Sequence, residues 1–268
     1  MTIFLKLGGS LITDKTRAET PRRPVIRRLA REIRAALEER PDLRLLLGHG
    51  SGSFGHYAAE RTTLLEQEGF DAQAYAEVGA AAARLNRIVT DICVAEGLPA
   101  VSLPPSASAR CHDGRLQYLA TAPVETLLAG GAVPLVYGDV ALDETRGAAI
   151  VSTEDVFAYL ASTQQPARII LAGEVDGVFT ADPTRDPSAQ PIREITPATF
   201  PAVVQALGGS AGYDVTGGMV SKVRTMVSLV EANPGIEVYV ISGVEAGRVQ
   251  HALTTKRRQR GTVIRADS

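Results

Sequence analysis

Short apolar runs alternate with longer amphipathic stretches along the whole chain of 268 residues. Ile3-Phe4-Leu5-Lys6-Leu7 opens it as a strand. A helix is predicted over about 24–39, where Ile26, Leu29, Ile33 and Leu37 recur at helical spacing with Arg and Glu between them. Further strands are predicted at 43–47, 99–103, 133–137, 168–171 and 237–241, and further helices at 72–96, 156–162 and 217–232. Residues 261–265 are expected as a short edge strand. The alternation predicts an α/β fold, a mostly parallel sheet covered by helices, with no repeat, low-complexity tract or long linker.

The apolar strands end in glycine and small polar residues. The first runs into Gly8-Gly9-Ser10, and the second into Gly48-His49-Gly50-Ser51-Gly52-Ser53-Phe54-Gly55-His56. Others end at Gly138-Asp139 and Ser242-Gly243, and one leads into Glu174-Val175-Asp176-Gly177-Val178-Phe179. Open α/β sheets bind ligands outside the carboxyl ends of their strands, so these turns point to one shared crevice.

Composition narrows the function classes. A net charge of −2 leaves no global basic field for nucleic acid, and the chain has no Trp for base stacking. Cys93 and Cys111 form no CxxC pair and read as free thiols of a reducing compartment. No apolar run reaches membrane-spanning length, no signal peptide opens the chain, and a cytoplasmic location is expected. Arg27, Arg28, Arg31 and Arg34 share their segment with Glu32, Glu38 and Glu39, which reads as a solvated helix face more readily than as an anion patch.

Three basic, glycine-rich elements carry the candidate chemistry. In Lys6-Leu7-Gly8-Gly9-Ser10, glycines let the backbone approach a ligand, and successive amides make an anion-binding concavity. Lys6 lies inside an apolar strand, where a charge needs a partner; a phosphate is one, and a snorkelling lysine beside a tight turn is the alternative. The P-loop pattern GxxxxGK(S/T) is absent, and Gly50, Gly52 and Gly55 match the dinucleotide pattern only by letter, after the second strand. His56 either donates to a phosphate oxygen or bonds loop backbone. No metal spacing joins it to His49, His112 or His251. In Thr216-Gly217-Gly218-Met219-Val220-Ser221-Lys222 a helix start would aim amides at an anion, with Lys222 one turn in. Ser152-Thr153-Glu154-Asp155 reads as a helix cap whose acids could also orient lysines, and Glu174 and Asp176 either hold a nucleotide or shape a turn.

Taken together, KLGGSLITDK at 6–15, GHGSGSFGH at 48–56, PPSA at 104–107, PLVYGDVALD at 134–143, EVDGVFTADP at 174–183 and DVTGGMVSK at 214–222 resemble the amino-acid-kinase family, and within it the isopentenyl phosphate kinases. The glycine loop ending in His56 is the narrowest of these motifs. The resemblance implies a three-layer αβα sandwich, an N-terminal acceptor lobe over 1–167 and an ATP lobe over 168–268 in one continuous fold. It implies that Lys6 and Lys222 contact the ATP phosphates, cradled by Gly8, Gly9 and Ser10, with Gly52 beside them. Lys15 would stabilise the transferring phosphoryl group, Asp155 would organise the lysines, and Glu174, Phe179 and Gly218 would meet the nucleotide. Ser51, Gly55 and His56 would bind the substrate phosphate, a position where Glu154 replaces the glycine of the family's usual Ser-Gly-Asp. Glu174 stands where aspartate is more usual. ATP with Mg²⁺, isopentenyl phosphate or dimethylallyl phosphate, and a homodimer complete the expectation.

That chemistry suits the residue set. A phosphate monoester has a second pKa of about 6, so the acceptor is already a nucleophile and needs no general base. The obstacle is repulsion between two anions, which calls for cations, amide donors and Mg²⁺. Tyr75, Val78, Ala82 and Leu85 share one predicted helix face and either line a tail pocket or pack the core. A kinase of another phosphate or phosphonate, as in fosfomycin resistance, an amino-acid or UMP kinase, and a non-catalytic nucleotide-binding protein are the rival readings.

Overall fold

The first strand, β1 (Thr2–Leu7), is buried at every position after Thr2, as a strand covered on both faces must be. The computed structural model describes residues 1–62, 64, 69–208, 218–255 and 260–267. After β1 come a one-turn helix α1 (Gly9–Ile12), α2 (Arg23–Glu39), β2 (Arg44–His49), α3 (Gly52–Thr62), α4 (Ala72–Ala95) and β3 (Ala100–Ser102). The hairpin β4 (Arg110–His112) and β5 (Arg115–Tyr118) leads through α5 (Ala122–Ala129) to β6 (Val133–Tyr137). A second hairpin, β7 (Asp139–Asp143) and β8 (Gly147–Val151), precedes α6 (Thr153–Gln164). The rest comprises β9 (Arg168–Gly173), β10 (Val178–Phe179), β11 (Pro191–Ile192), β12 (Glu194–Ile195), α7 (Phe200–Gly208), α8 (Gly218–Ala232), β13 (Glu237–Ser242), α9 (Arg248–Thr254) and β14 (Thr262–Ile264).

The central sheet has the order β12-β14-β13-β9-β1-β2-β6-β3. Its strands from β13 to β3 run parallel, and β14 lies antiparallel to β13. Successive side chains of a strand face opposite sides, so β1 feeds two cores. Phe4 packs with Val156, Phe157 and Leu160 of α6 and Met226 and Val230 of α8. Ile3, Leu5 and Leu7 pack with Ile26 and Ile33 of α2, Val89 of α4 and Leu253 of α9. The result is the three-layer αβα sandwich. The sheet runs without a break across residue 167, because β9 pairs with β1.

Three readings of the sequence change. Residues 262–264 form an inner strand, since β12 covers its outer side. The glycine-rich run after β2 becomes helical from Gly52, so His56 is a helix residue. The arginine-rich face of α2 is solvated at Arg27, Arg31 and Arg34, but Glu32 is buried. Its carboxylate accepts from Val249 N at 3.0 Å and from Arg28, tying α2 to the start of α9. The hairpins β4–β5 and β7–β8 form a separate four-stranded sheet that the apolar pattern did not announce. No helix among the described residues is long and apolar enough to cross a membrane.

Candidate functional site

The parallel strands deliver their glycine turns to one edge, and backbone hydrogen bonds stitch those turns together. Gly243 N donates to Gly173 O at 2.8 Å, Gly8 N to Ala172 O at 2.7 Å, Gly50 N to Leu7 O at 3.0 Å and Gly138 N to His49 O at 3.1 Å. The turns after β1 and β2 lie in direct contact. A Cβ on Gly9 would sit 2.6 Å from Gly52 N, and one on Gly52 would sit 2.3 Å from Thr13 Oγ1. Gly52 also has a φ of +52°, a left-handed conformation that side chains disfavour. Both positions therefore require glycine.

Thr13, fully buried, pins the two turns together. Its hydroxyl donates to Gly9 O at 2.7 Å and accepts from Ser53 N at 2.9 Å. Among the described residues no acceptor meets the backbone N–H of Gly9, Ser10, Ser51 or Gly52. Four amide donors at the starts of α1 and α3 are thus available to an anion.

Lys6 and Lys222 share one carboxylate, and Lys15 and His56 are neighbours of Tyr57. Lys6, 5% exposed, pairs with Glu154, which is 2% exposed. Burial pushes the Glu154 carboxyl up, but Lys6 and Lys222 together hold it below its ordinary range. Lys222, exposed on the second turn of α8, is therefore close enough to act on the same carboxylate. Tyr57 Oη donates to Lys15 O at 3.2 Å, which sets Lys15 beside α3, and the half-exposed His56 ring has Nε2 3.2 Å from Glu60 Oε1.

The two acids at the start of α6 meet different partners, and both attract Lys6. The acid against Lys6 is Glu154, whereas Asp155 closes a capping box with Ser152, accepting from its N–H at 3.0 Å and its hydroxyl at 2.6 Å. Glu174 is ion-paired with Arg22 at 2.6 Å. Asp176 accepts from Arg248 at 2.5 Å and from Ser242 N at 3.2 Å, shaping the turn after β9. Phe179 is half-buried in β10, and Gly218 opens α8. Residues 214–217 of the third glycine-rich motif, among them Thr216 and Gly217, lie outside the described residues. Val78 joins a small apolar cluster with Ala58, Ala74, Ala81, Val140 and Ala148, with Tyr75 packed on it, between α3, α4 and the β7–β8 hairpin. Leu85 belongs to the main core.

His49 is the residue that sequence reasoning missed. Its Nδ1 lies 3.0 Å from Gly50 O, and Asn86 Nδ2 lies 3.2 Å from its Nε2. A carbonyl only accepts and an amide nitrogen only donates, so the ring is neutral with its proton on Nδ1. Ser102 Oγ donates to Asn86 Oδ1 at 2.5 Å, and the imidazole stacks on Tyr137 with centroids 5.5 Å apart. The available signal was a histidine ending an otherwise apolar strand.

Burial, assisted by the charge of Lys6, holds this imidazole at about 4. An unfolded histidine takes up a proton near pH 6.5, which the folded ring refuses until about pH 4. His49 therefore supports the fold above pH 6.5 and opposes it as pH falls, by about 2–3 kcal/mol at pH 4.5. Urea unfolding of the wild type and His49→Gln at pH 7.5 and 4.5 checks this: the variant is less stable at pH 7.5, and the gap closes or reverses at pH 4.5. A gap of constant size would refute it.

Known proteins resemble this chain over nearly its whole length. Residues 1–242 match the amino acid kinase family. The chain is 36% identical over 261 residues to the isopentenyl phosphate kinase of Methanothermobacter thermautotrophicus, covering 94% of each chain. It is 40% identical over 229 residues to that of Haloferax volcanii, covering 85% of this chain and 88% of the relative. A solved isopentenyl phosphate kinase structure superposes with a TM-score of 0.82 at 32% identity, over 98% of this chain and 100% of that one. On the strength of these matches, the chain belongs to the amino acid kinase family and, within it, to the isopentenyl phosphate kinases.

Proposed function

We propose that this chain transfers the terminal phosphoryl group of ATP to isopentenyl phosphate, giving isopentenyl diphosphate and ADP. The observation that carries the reading is the contact between the Gly9 and Gly52 turns, with Lys6 and Lys222 gathered around Glu154 and Lys15 and His56 flanking Tyr57. Two anions meeting end to end need such a set of cations and free amides.

In this reading Gly8, Gly9, Ser10, Lys6 and Lys222 hold the ATP phosphates, with Gly52 beside them. Glu174, Phe179 and Gly218 border the nucleotide. Lys15 neutralises charge on the transferring group. Ser51, Gly55 and His56 hold the acceptor phosphate, whose free oxygen attacks the γ-phosphorus while ADP leaves. Among the described residues no cluster of three His, Cys, Asp or Glu side chains is placed to hold a metal. Mg²⁺ enters this reading as part of the substrate, bound to the triphosphate oxygens. In the same reading the short tail of isopentenyl or dimethylallyl phosphate lies toward the apolar cluster around Val78 and Val140, which is buried between α3, α4 and the β7–β8 hairpin. A cytoplasmic homodimer is part of the proposal, and the two buried free cysteines are compatible with a reducing compartment.

His56→Ala tests the acceptor assignment. Loss of a hydrogen bond to a charged oxygen is worth about 1.5–3 kcal/mol, so KM for isopentenyl phosphate should rise about 10- to 100-fold. KM for ATP should stay within about twofold, a split that follows from uniform loss of acceptor binding. A coupled ADP-release assay with isopentenyl phosphate, dimethylallyl phosphate and fosfomycin measures both constants and ranks the acceptors. Equal increases in both KM values would remove His56 from the acceptor site, and faster turnover of fosfomycin would move the chain to another substrate.

A further inference from the structure

We propose that Ser53, backed by Arg84, is a positioning residue that fixes Lys15 in register with the acceptor-binding turn of α3. The inference rests on the reading that Lys15 meets the transferring phosphoryl group, and it names what holds that lysine in place.

Lys15 is exposed and lies at the tip of a small hairpin whose arms meet at the bridge between Thr13 and Pro21. Inside the hairpin Asp14 N donates to Thr20 O at 2.9 Å, and the Asp14 carboxylate accepts from Thr16 N at 2.9 Å and Thr16 Oγ1 at 2.7 Å. These bonds shape the tip, but none of them reaches another element. A lysine has a long, flexible stem, so its charge is placed only as well as its backbone is held from outside.

Ser53 supplies that hold. It is fully buried in the first turn of α3, and its three polar groups all bond the hairpin. Its N–H donates to Thr13 Oγ1 at 2.9 Å, its carbonyl accepts from Glu19 N at 3.3 Å, and its hydroxyl oxygen accepts from Thr20 N at 3.1 Å. One residue thereby grips both arms, Thr13 on the outgoing arm and Glu19 and Thr20 on the returning one. Glu19 has a φ of +48°, a left-handed conformation that a glutamate disfavours and that outside contacts must maintain. Its side chain is held in turn by Arg84 of α4, whose Nε donates to Oε2 at 3.0 Å and whose Nη2 donates to Oε1. Such a forked pair sets direction as well as distance. Tyr57, one turn beyond Ser53, holds the tip itself through Lys15 O at 3.2 Å. His56 stands on that same turn of α3, so the Ser53 grip relates the Lys15 cation to the acceptor-binding group through one short, continuous frame.

A double-mutant cycle tests the idea. It uses single-turnover rates of phosphoryl transfer at saturating Mg²⁺-ATP and acceptor, with whichever of isopentenyl phosphate, dimethylallyl phosphate and fosfomycin turns over fastest. Ser53→Ala keeps the backbone bonds and removes the oxygen that receives Thr20 N. Its rate should fall about tenfold, with KM for ATP and for the acceptor within about twofold of wild type. In a Lys15→Ala background the same substitution should change the rate by less than about twofold, because no ammonium is left to misplace. Additive losses would overturn the proposal, as would a Ser53→Ala enzyme at the wild-type rate or one whose loss lies in KM. General damage to the fold lowers the rate equally in both backgrounds and so counts as additive. Should Ser53→Ala not fold, Arg84→Ala takes its place, since that side chain is half-exposed. A fall of about threefold or more that vanishes without Lys15 supports the proposal; a fall that persists, or none, overturns it. A slow Lys15→Ala enzyme with additive losses would defeat this inference alone. A Lys15→Ala enzyme at the wild-type rate, or no turnover of any acceptor by wild type, would defeat the underlying reading and this inference together.

Discussion

Lys15→Ala should lower kcat by about a thousandfold, with KM for ATP and for isopentenyl phosphate each changing by less than about fivefold. Charge spreads over the transferring phosphoryl group in the transition state, and a cation that meets it there acts on the rate more than on either ground state. Lys15 suits that task because it is exposed, lies in the connection that follows α1, and has its carbonyl tied to Tyr57 beside His56. Lys6 and Lys222, by contrast, gather on Glu154 and are suited to bound phosphates. Single-turnover kinetics separates the alternatives. A Lys15→Ala enzyme whose phosphoryl-transfer step keeps its wild-type rate would exclude Lys15 from the transition state, and a rate unchanged in Lys15→Arg would show that charge alone suffices.

Gly9→Ala should damage both fold and activity. The added methyl would meet Gly52 N at 2.6 Å and Gly52 Cα at 2.7 Å, both backbone atoms that cannot swing aside. The two turns must part by about an ångström, and misplacement on that scale costs about a hundredfold in kcat/KM. Overpacking of this kind also destabilises by about 1–3 kcal/mol. Gly235→Ala is the internal control: nothing lies within 4 Å of its added Cβ and its φ is not positive, so stability and kcat/KM should stay at wild-type values. Urea midpoints and steady-state kinetics of the two variants measure the contrast. A Gly9→Ala protein as active as the control would show that the contact between the turns is irrelevant to catalysis.

Much of this architecture was legible from local pattern. The helical spacing of Ile26, Leu29, Ile33 and Leu37 marks α2 within a residue of its observed ends, and the apolar run at 133–137 coincides with β6. Both signals are short-range: one face of a helix, or a strand buried on two sides, dictates apolar residues at fixed spacing. The β4–β5 and β7–β8 sheet escaped because its strands are short and partly exposed, with Tyr118 and Leu142 facing solvent, so the alternation is weak. Helical structure from Gly52 escaped because three glycines in 50–55 oppose helix formation locally, and Thr13, an element away, holds the first turn in place.

The sequence by itself determined the kinds of groups available: three lysines, a histidine and glycine turns at the ends of apolar strands, in the order of a phosphoryl-transfer family. Chain order carries that information because glycine, charge and periodicity act on neighbouring residues. Only the tertiary structure decided which groups are partners. It placed Glu154 against Lys6 across 148 positions, left Asp155 to the helix cap, paired Glu174 with Arg22, and buried His49 against Asn86 and Tyr137. The reason is physical: a buried ion pair or a neutral buried imidazole is created by loss of water, and desolvation is a property of packing that no local run of residues encodes.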